Sequence, residues 1–75
     1  GYVRTPLVTK QLADQARFHG IGEDEVVAEI MLKESAIKEL VEPDEVGALV
    51  AWLASPEARM VTGASYTMDG GWRAR

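Results

Sequence analysis

One short stretch limits what this chain can become. Ala64-Ser65-Tyr66-Thr67-Met68, opened by Gly63 and closed by Asp69-Gly70-Gly71, reads as a β-strand. Everything else reads as helix or connection. A strand must exchange backbone hydrogen bonds with a neighbour, and unpaired backbone groups away from water are costly. No second strand pattern stands among the 75 residues. The partner strands are expected from a longer parent chain or from another copy. The residues therefore read as a piece of an α/β sheet protein, in itself mostly helical with one strand over 64–68.

The helical patterns are clear. Thr5-Pro6 is a start signal: the threonine hydroxyl caps, and proline fits the first helical position. Leu7, Val8, Leu12 and Ala16 follow at helical spacing, and Gly20 stops the run. A second helix starts at Gly22. Glu23, Asp24 and Glu25 favour its dipole, and Val26, Val27, Ile30 and Met31 form its apolar stripe. Residues 33–41 read as a short helical or irregular connection. The third helix spans 43–55, with Pro43 first, Asp44 and Glu45 in the first turn, and Ser55-Pro56 at its end. Val46, Leu49, Val50 and Leu53 share a face that Ala48, Ala51 and Trp52 widen, so this helix wants partners on more than one side.

Composition excludes several functions. A net charge of −4 disfavours nucleic acid, which needs a basic patch. With no cysteine the chain can build no thiolate metal site, and its one histidine cannot build a zinc site by itself. His19, beside a helix-ending glycine, reads as a cap or surface residue, and Glu23-Asp24-Glu25 as dipole compensation rather than acid–base chemistry. The longest apolar run, 48–54, is too short for a bilayer, and Gly1-Tyr2-Val3-Arg4 carries no apolar signal core. A cytoplasmic piece of a longer chain, beginning in mid-sequence, is the expectation.

Three segments in order carry a family resemblance. Gly1-Tyr2-Val3-Arg4-Thr5-Pro6-Leu7-Val8 resembles the Pro-Gly-x-Val-x-Thr-Pro-Leu stretch after the sixth strand of short-chain dehydrogenases/reductases. Glu42-Pro43-Asp44-Glu45-Val46 resembles the start of the helix before their last strand. Val61-Thr62-Gly63-Ala64-Ser65-Tyr66-Thr67-Met68-Asp69-Gly70-Gly71 resembles that strand itself. Lys10-Gln11, the insertion around Gly20-Ile21-Gly22-Glu23-Asp24-Glu25 and the Gly70-Gly71-Trp72 ending are similar to the members that interconvert D-3-hydroxybutyrate and acetoacetate.

The resemblance implies the end of a Rossmann-type doubly wound sheet and an NAD-dependent oxidoreductase. It implies cofactor contacts from Gly1, Val3, Thr5, Pro6 and Leu7. The Val3 backbone would meet the nicotinamide carboxamide, and the Thr5 hydroxyl the carboxamide or diphosphate. That is chemically apt: a carboxamide offers donors and an acceptor, and a helix N-terminus favours phosphate. Residues 6–32 would be the substrate lid. Gln11 would hydrogen-bond the substrate carboxylate and Trp72 would pack against the small substrate. Against these stand plainer roles: Thr5 as an ordinary cap, Gln11 on a solvated face, Trp72 in terminal packing. Arg4 is open between the cofactor and a second subunit.

The implied catalytic serine, tyrosine and lysine are not here. Tyr2 and Tyr66 are followed four residues on by Pro6 and Gly70, not lysine. No catalytic residue is assigned within 1–75, and the chain alone is expected to be inactive and to bind NAD negligibly. NADP, or another small hydroxy acid or ketone, is the alternative within the family. Self-association of an inactive piece through residues 43–72, as a homo-oligomer, is the other reading, and a small independent helical protein the remaining one. In isolation the lid, 7–32, is expected to exchange its amides faster than 46–54, because its docking surface is elsewhere.

Overall fold

A computed structural model describes residues 1–74. Helix α1 runs Pro6–His19. Thr5 caps it with extended backbone, its hydroxyl accepting from the Val8 N–H, and Gly20 closes it in the left-handed conformation at φ 66°. The Gly20 N–H donates to the Ala16 carbonyl, satisfying a terminal acceptor. Helix α2, Glu23–Val26, starts at Gly22 and runs directly into a π-helical segment, Val27–Met31. Residues 32–41 form an irregular loop. Helix α3, Pro43–Leu53, follows, then single 3₁₀ turns at Pro56–Ala58 and Trp72–Ala74.

The core lies where α1, α2 and the loop meet. Leu12, Val26, Leu32 and Leu40 are buried there, Val26 completely, with Val8, Ala16, Ile21, Val27 and Met31 packed around them. Leu12, Val8 and Ala16 recur on one face of α1, which is why the helix turns that side inward.

The strand expected over 64–68 is not formed. That segment is irregular and mostly exposed, and Tyr66 stacks edge-on against Trp52 at 5.8 Å. The reason is the one that made the stretch informative: β-formers make a strand only against a partner edge, and none is present among the described residues. The isolated parallel bridge between Val3 and Val41 is the β pairing that is observed.

Helix α3 ends at Leu53 rather than 55. Ser55 bonds back to the Trp52 carbonyl through both its N–H and its hydroxyl, then opens the next turn at Pro56. Within α3 only Leu49 is half-buried; Val46, Val50, Trp52 and Leu53 are exposed.

The molecule is extended. Its radius of gyration is 15.2 Å, with extents of 49 × 26 × 14 Å. A compact chain of this length has a radius of about 11 Å. Its accessible surface, 5660 Å², exceeds the roughly 4,500 Å² expected for this mass. No described helix is long and apolar enough to cross a membrane.

This distribution of burial argues for the opposite order of exchange. Packing anchors 12–32 at Leu12, Val26 and Leu32, whereas α3 is mostly exposed. In the monomeric chain, amides of Leu12–Ala16 and Val26–Val27 should exchange more slowly than those of Val46–Leu53. Hydrogen exchange followed residue by residue, at a dilution that prevents association, decides between the two orders.

Candidate cofactor and lid site

The first eight residues cross the loop before α3. The Arg4 N–H donates to the Val41 carbonyl at 2.8 Å, and the Val41 N–H to the Tyr2 carbonyl at 2.9 Å. In a parallel bridge of this kind the bridged residue's own polar groups face away from its partner. The Val3 carbonyl accepts from the Thr5 N–H at 2.7 Å, a tight turn at Arg4. The Val3 N–H has no partner among the described residues. One backbone position thus presents an open donor beside an acceptor with a second lone pair. Thr5 stands next to it, half-buried; its hydroxyl accepts from Val8 N–H at 3.4 Å, a long bond that leaves acceptor capacity, while the Thr9 hydroxyl donates to the Thr5 carbonyl.

Arg4, left open by the sequence, pairs with Glu42. Its Nε donates to Oε1 at 2.7 Å, and both side chains are about half exposed (49% and 48%). An exposed pair of this sort contributes little, about 0–1 kcal/mol. Its value is positional: it ties the 1–8 segment to the cap of α3, where the Glu42 N–H donates to Glu45 Oε1 at 2.9 Å.

The end of the chain joins the same assembly. Asp69 Oδ1 accepts from the Gly71 N–H and Oδ2 from the Arg73 N–H, each at 2.9 Å. The Arg73 N–H foremost, opposed by partial desolvation and aided by Gly71, holds the Asp69 carboxyl below its ordinary range. Gly70 and Gly71 are both left-handed, at φ 63° and 87°. The Gly70 carbonyl accepts from the Ile37 N–H at 2.9 Å. A Cβ on Gly71 would stand 2.8 Å from the Ala36 Cβ, and one on Gly1 2.7 Å from the Asp69 Cα. Gly1 and Gly71 are therefore required by close approach, Gly71 by conformation as well. The three resembling segments come together in space, with the 35–42 loop as the common partner.

Two clefts flank α1. One, about 560 Å³, carries five carboxylates, from Glu23, Asp24, Glu39, Glu42 and Glu45, against the cations Arg4 and Lys38. An acidic lining of this kind repels a diphosphate or a carboxylate. The other lies between α1 and the π segment, lined by Gln11, Tyr2, Gln15, Phe18, Ile30 and Met31 among others. Gln11 thus opens onto a cleft it shares with Tyr2, the neighbour of Val3. Trp72 is not on that cleft; it sits in the final turn, partly exposed, its N–H on the Asp69 carbonyl. Within this chain Gln11 and Trp72 are not brought together. Pro6 and Leu7 are exposed at the start of α1. His19 sits at the exposed end of α1, its Nε2 3.1 Å from Gln15 Oε1. The sequence reading missed Ala36, Lys38 and Val41, all in the loop left irregular. Only Lys38 had a signal, as a lysine shortly after a helix end.

Residues 2–73 match the family model described as enoyl-(acyl carrier protein) reductase. D-beta-hydroxybutyrate dehydrogenase of Rhizobium meliloti (strain 1021) is 47% identical over all 75 residues, which span 29% of that protein. The D-beta-hydroxybutyrate dehydrogenase of Cupriavidus necator is 44% identical over the same 75 residues, again 29% of its length. Cyclohexanol dehydrogenase of an Acinetobacter species is 32% identical over 76 aligned positions covering the whole chain and 24% of that protein. The chain belongs to the short-chain dehydrogenase/reductase family, whose fold is Rossmann-type. Among these relatives, it is the two D-beta-hydroxybutyrate dehydrogenases that it resembles most strongly.

The glycines give a paired test. Gly71→Ala should destabilise the chain by about 2 kcal/mol or more, from the left-handed backbone and the clash with Ala36. Gly47→Ala, inside α3 with open space at its Cβ, should stabilise by up to about 1 kcal/mol. Denaturant melts of the two variants check both signs.

Proposed function

We propose that this chain is the part of an NAD-dependent short-chain dehydrogenase that positions nicotinamide and substrate, in an enzyme interconverting D-3-hydroxybutyrate and acetoacetate. The observation that carries the reading is identity of 44–47% to two D-beta-hydroxybutyrate dehydrogenases across every residue from Gly1 onward, lid included. Because the chain spans 29% of those proteins, the activity is that of the whole enzyme. Its catalytic serine, tyrosine and lysine lie outside these residues.

The residues fit the cofactor. The open Val3 N–H and its neighbouring carbonyl form a pair that a carboxamide can satisfy from both sides, which would fix the ring face presented to substrate. Thr5, with Pro6 and Leu7 at the start of α1, gives an anion-tolerant edge beside it. Gly1 lets the segment lie against Asp69. NAD, when bound, supplies the hydride acceptor; the protein's part here is to bind and orient it. Gln11, on its cleft beside Tyr2, would donate its amide N–H to the substrate carboxylate. Trp72 would cover the substrate from the last turn, on the partner strands' side or from a neighbouring subunit. Helices α1 and α2 with the π segment would close over both ligands and exclude water.

In the full-length protein, D-3-hydroxybutyrate should reduce NAD. Gln11→Ala should raise KM for the hydroxy acid about tenfold or more, leaving KM for NAD within about twofold, because a charge-assisted hydrogen bond is lost at one ligand only. Steady-state kinetics with each ligand varied checks this. A full-length protein inactive with D-3-hydroxybutyrate and active with another alcohol would overturn the substrate assignment.

One observation favours a second property. The bare apolar side of α3, with Val50 at 59% exposure, supports homo-oligomerisation through residues 43–72. Light scattering should give the chain a mass above that of a monomer at micromolar concentration. A monomer mass there rejects it.

A further inference from the structure

The second lid helix ends unusually. α2 widens into the π segment Val27–Met31, closed by the Leu32 N–H on the Val27 carbonyl at 2.8 Å. π turns are rare and weak by themselves, so something must hold this one. Beyond it the chain turns, and the carbonyls at a helix end need donors. Lys38 reaches the residue that closes the segment and two carbonyls of the turn after it. Its Nζ donates to the carbonyls of Leu32 at 2.9 Å, Lys33 at 2.7 Å and Ser35 at 2.6 Å. An ammonium has three N–H groups, and here each has a carbonyl. Its charge also sits at the negative end of the helix. Carboxylates of Glu39, Glu42 and Glu45 share the adjoining cleft, yet none pairs with Lys38. The ammonium serves the backbone instead.

The same loop is held from outside. Ile37 N–H bonds the Gly70 carbonyl, and Ala36 fills the gap left by Gly71. On either side of Lys38, Leu32 and Leu40 are anchored in the core. The end of the lid is thus fixed by a clamp of one side chain, while Ile30 and Met31 just before it line the cleft that holds Gln11.

We propose that Lys38 is a positioning residue for substrate binding: without touching the ligands, it sets where the Ile30–Met31 side of the cleft stands relative to Gln11. This rests on the reading of 6–32 as the substrate lid.

The test compares Lys38→Met, which keeps the aliphatic stem and removes all donors, with Lys38→Arg, which keeps a charged donor, in the full-length protein. In Lys38→Met, KM for D-3-hydroxybutyrate should rise about tenfold, with kcat and KM for NAD within about threefold, because the loss falls on one ligand's cleft. Amides of 27–35 should exchange about tenfold faster, and those of α3 should be unchanged. Lys38→Arg should recover most of both effects. Unchanged KM with unchanged exchange overturns the proposal. So does a parallel rise in both KM values with faster exchange throughout, which is a general stability role. If the unsubstituted protein does not oxidise D-3-hydroxybutyrate, the proposed function fails separately. Exchange then decides the clamp by itself: local loosening over 27–35 upholds it and unaltered protection refutes it.

Discussion

A small apolar knot holds this structure. Leu12, Val26, Leu32 and Leu40 come from α1, α2 and the two ends of the loop, and burying them fixes the angle between α1 and α2. Each buried aliphatic side chain contributes about 1.5–3 kcal/mol, which is modest for a chain this long. The hydrogen bonds gathered nearby act on geometry more than on stability. The Val3–Val41 bridge, the Arg4–Glu42 pair and the Lys38 clamp all secure the 32–42 loop against that knot. The loop, without regular structure of its own, is the hub to which both ends of the chain attach.

Much of this was legible from residues with strong local preferences. Thr5-Pro6, Gly20, Gly22 and Pro43 mark helix boundaries through caps and fixed dihedrals, effects that need no tertiary context. The apolar stripe of α1 likewise announced Leu12 as core. What escaped was whatever depends on distant partners. Tyr66 and Thr67 are β-formers without an edge to pair with, so the expected strand is absent. Val27–Met31 has ordinary helical periodicity, and nothing in it signals a wider turn. Lys38 follows a helix end, a weak signal for binding carbonyls, but its three partners are set by the fold of the loop. Residues 7–32 were expected to exchange faster than 46–54; in the structure α1 and α2 bury Leu12 and Val26 in a common cluster, while most of α3 is exposed.

For the site, the resemblance carried names that local physics could not. Thr5 is a cap by any reading; only the surrounding segment suggests a cofactor beside it. The neighbouring Val3 turns its N–H away from the bridge, without a partner among the described residues. The structure accounts for Gly1 and Gly71 by contact with Asp69 and Ala36, which a pattern alone does not explain. Gln11 lines a cleft that Trp72 does not share.

The smallest extent of the molecule, 14 Å, has a consequence for reading substitutions. An α-helix with side chains is about 10–12 Å across. The chain is therefore a sheet of matter barely one helix thick, whereas domains are stable as two or more packed layers. A single layer has no interior beyond the local knot; it has two broad sides. Leu7, Phe18, Val50 and Met60 are accordingly exposed rather than packed in an interior. A polar replacement at one of these positions should therefore cost the chain by itself little stability, about 0.5 kcal/mol or less.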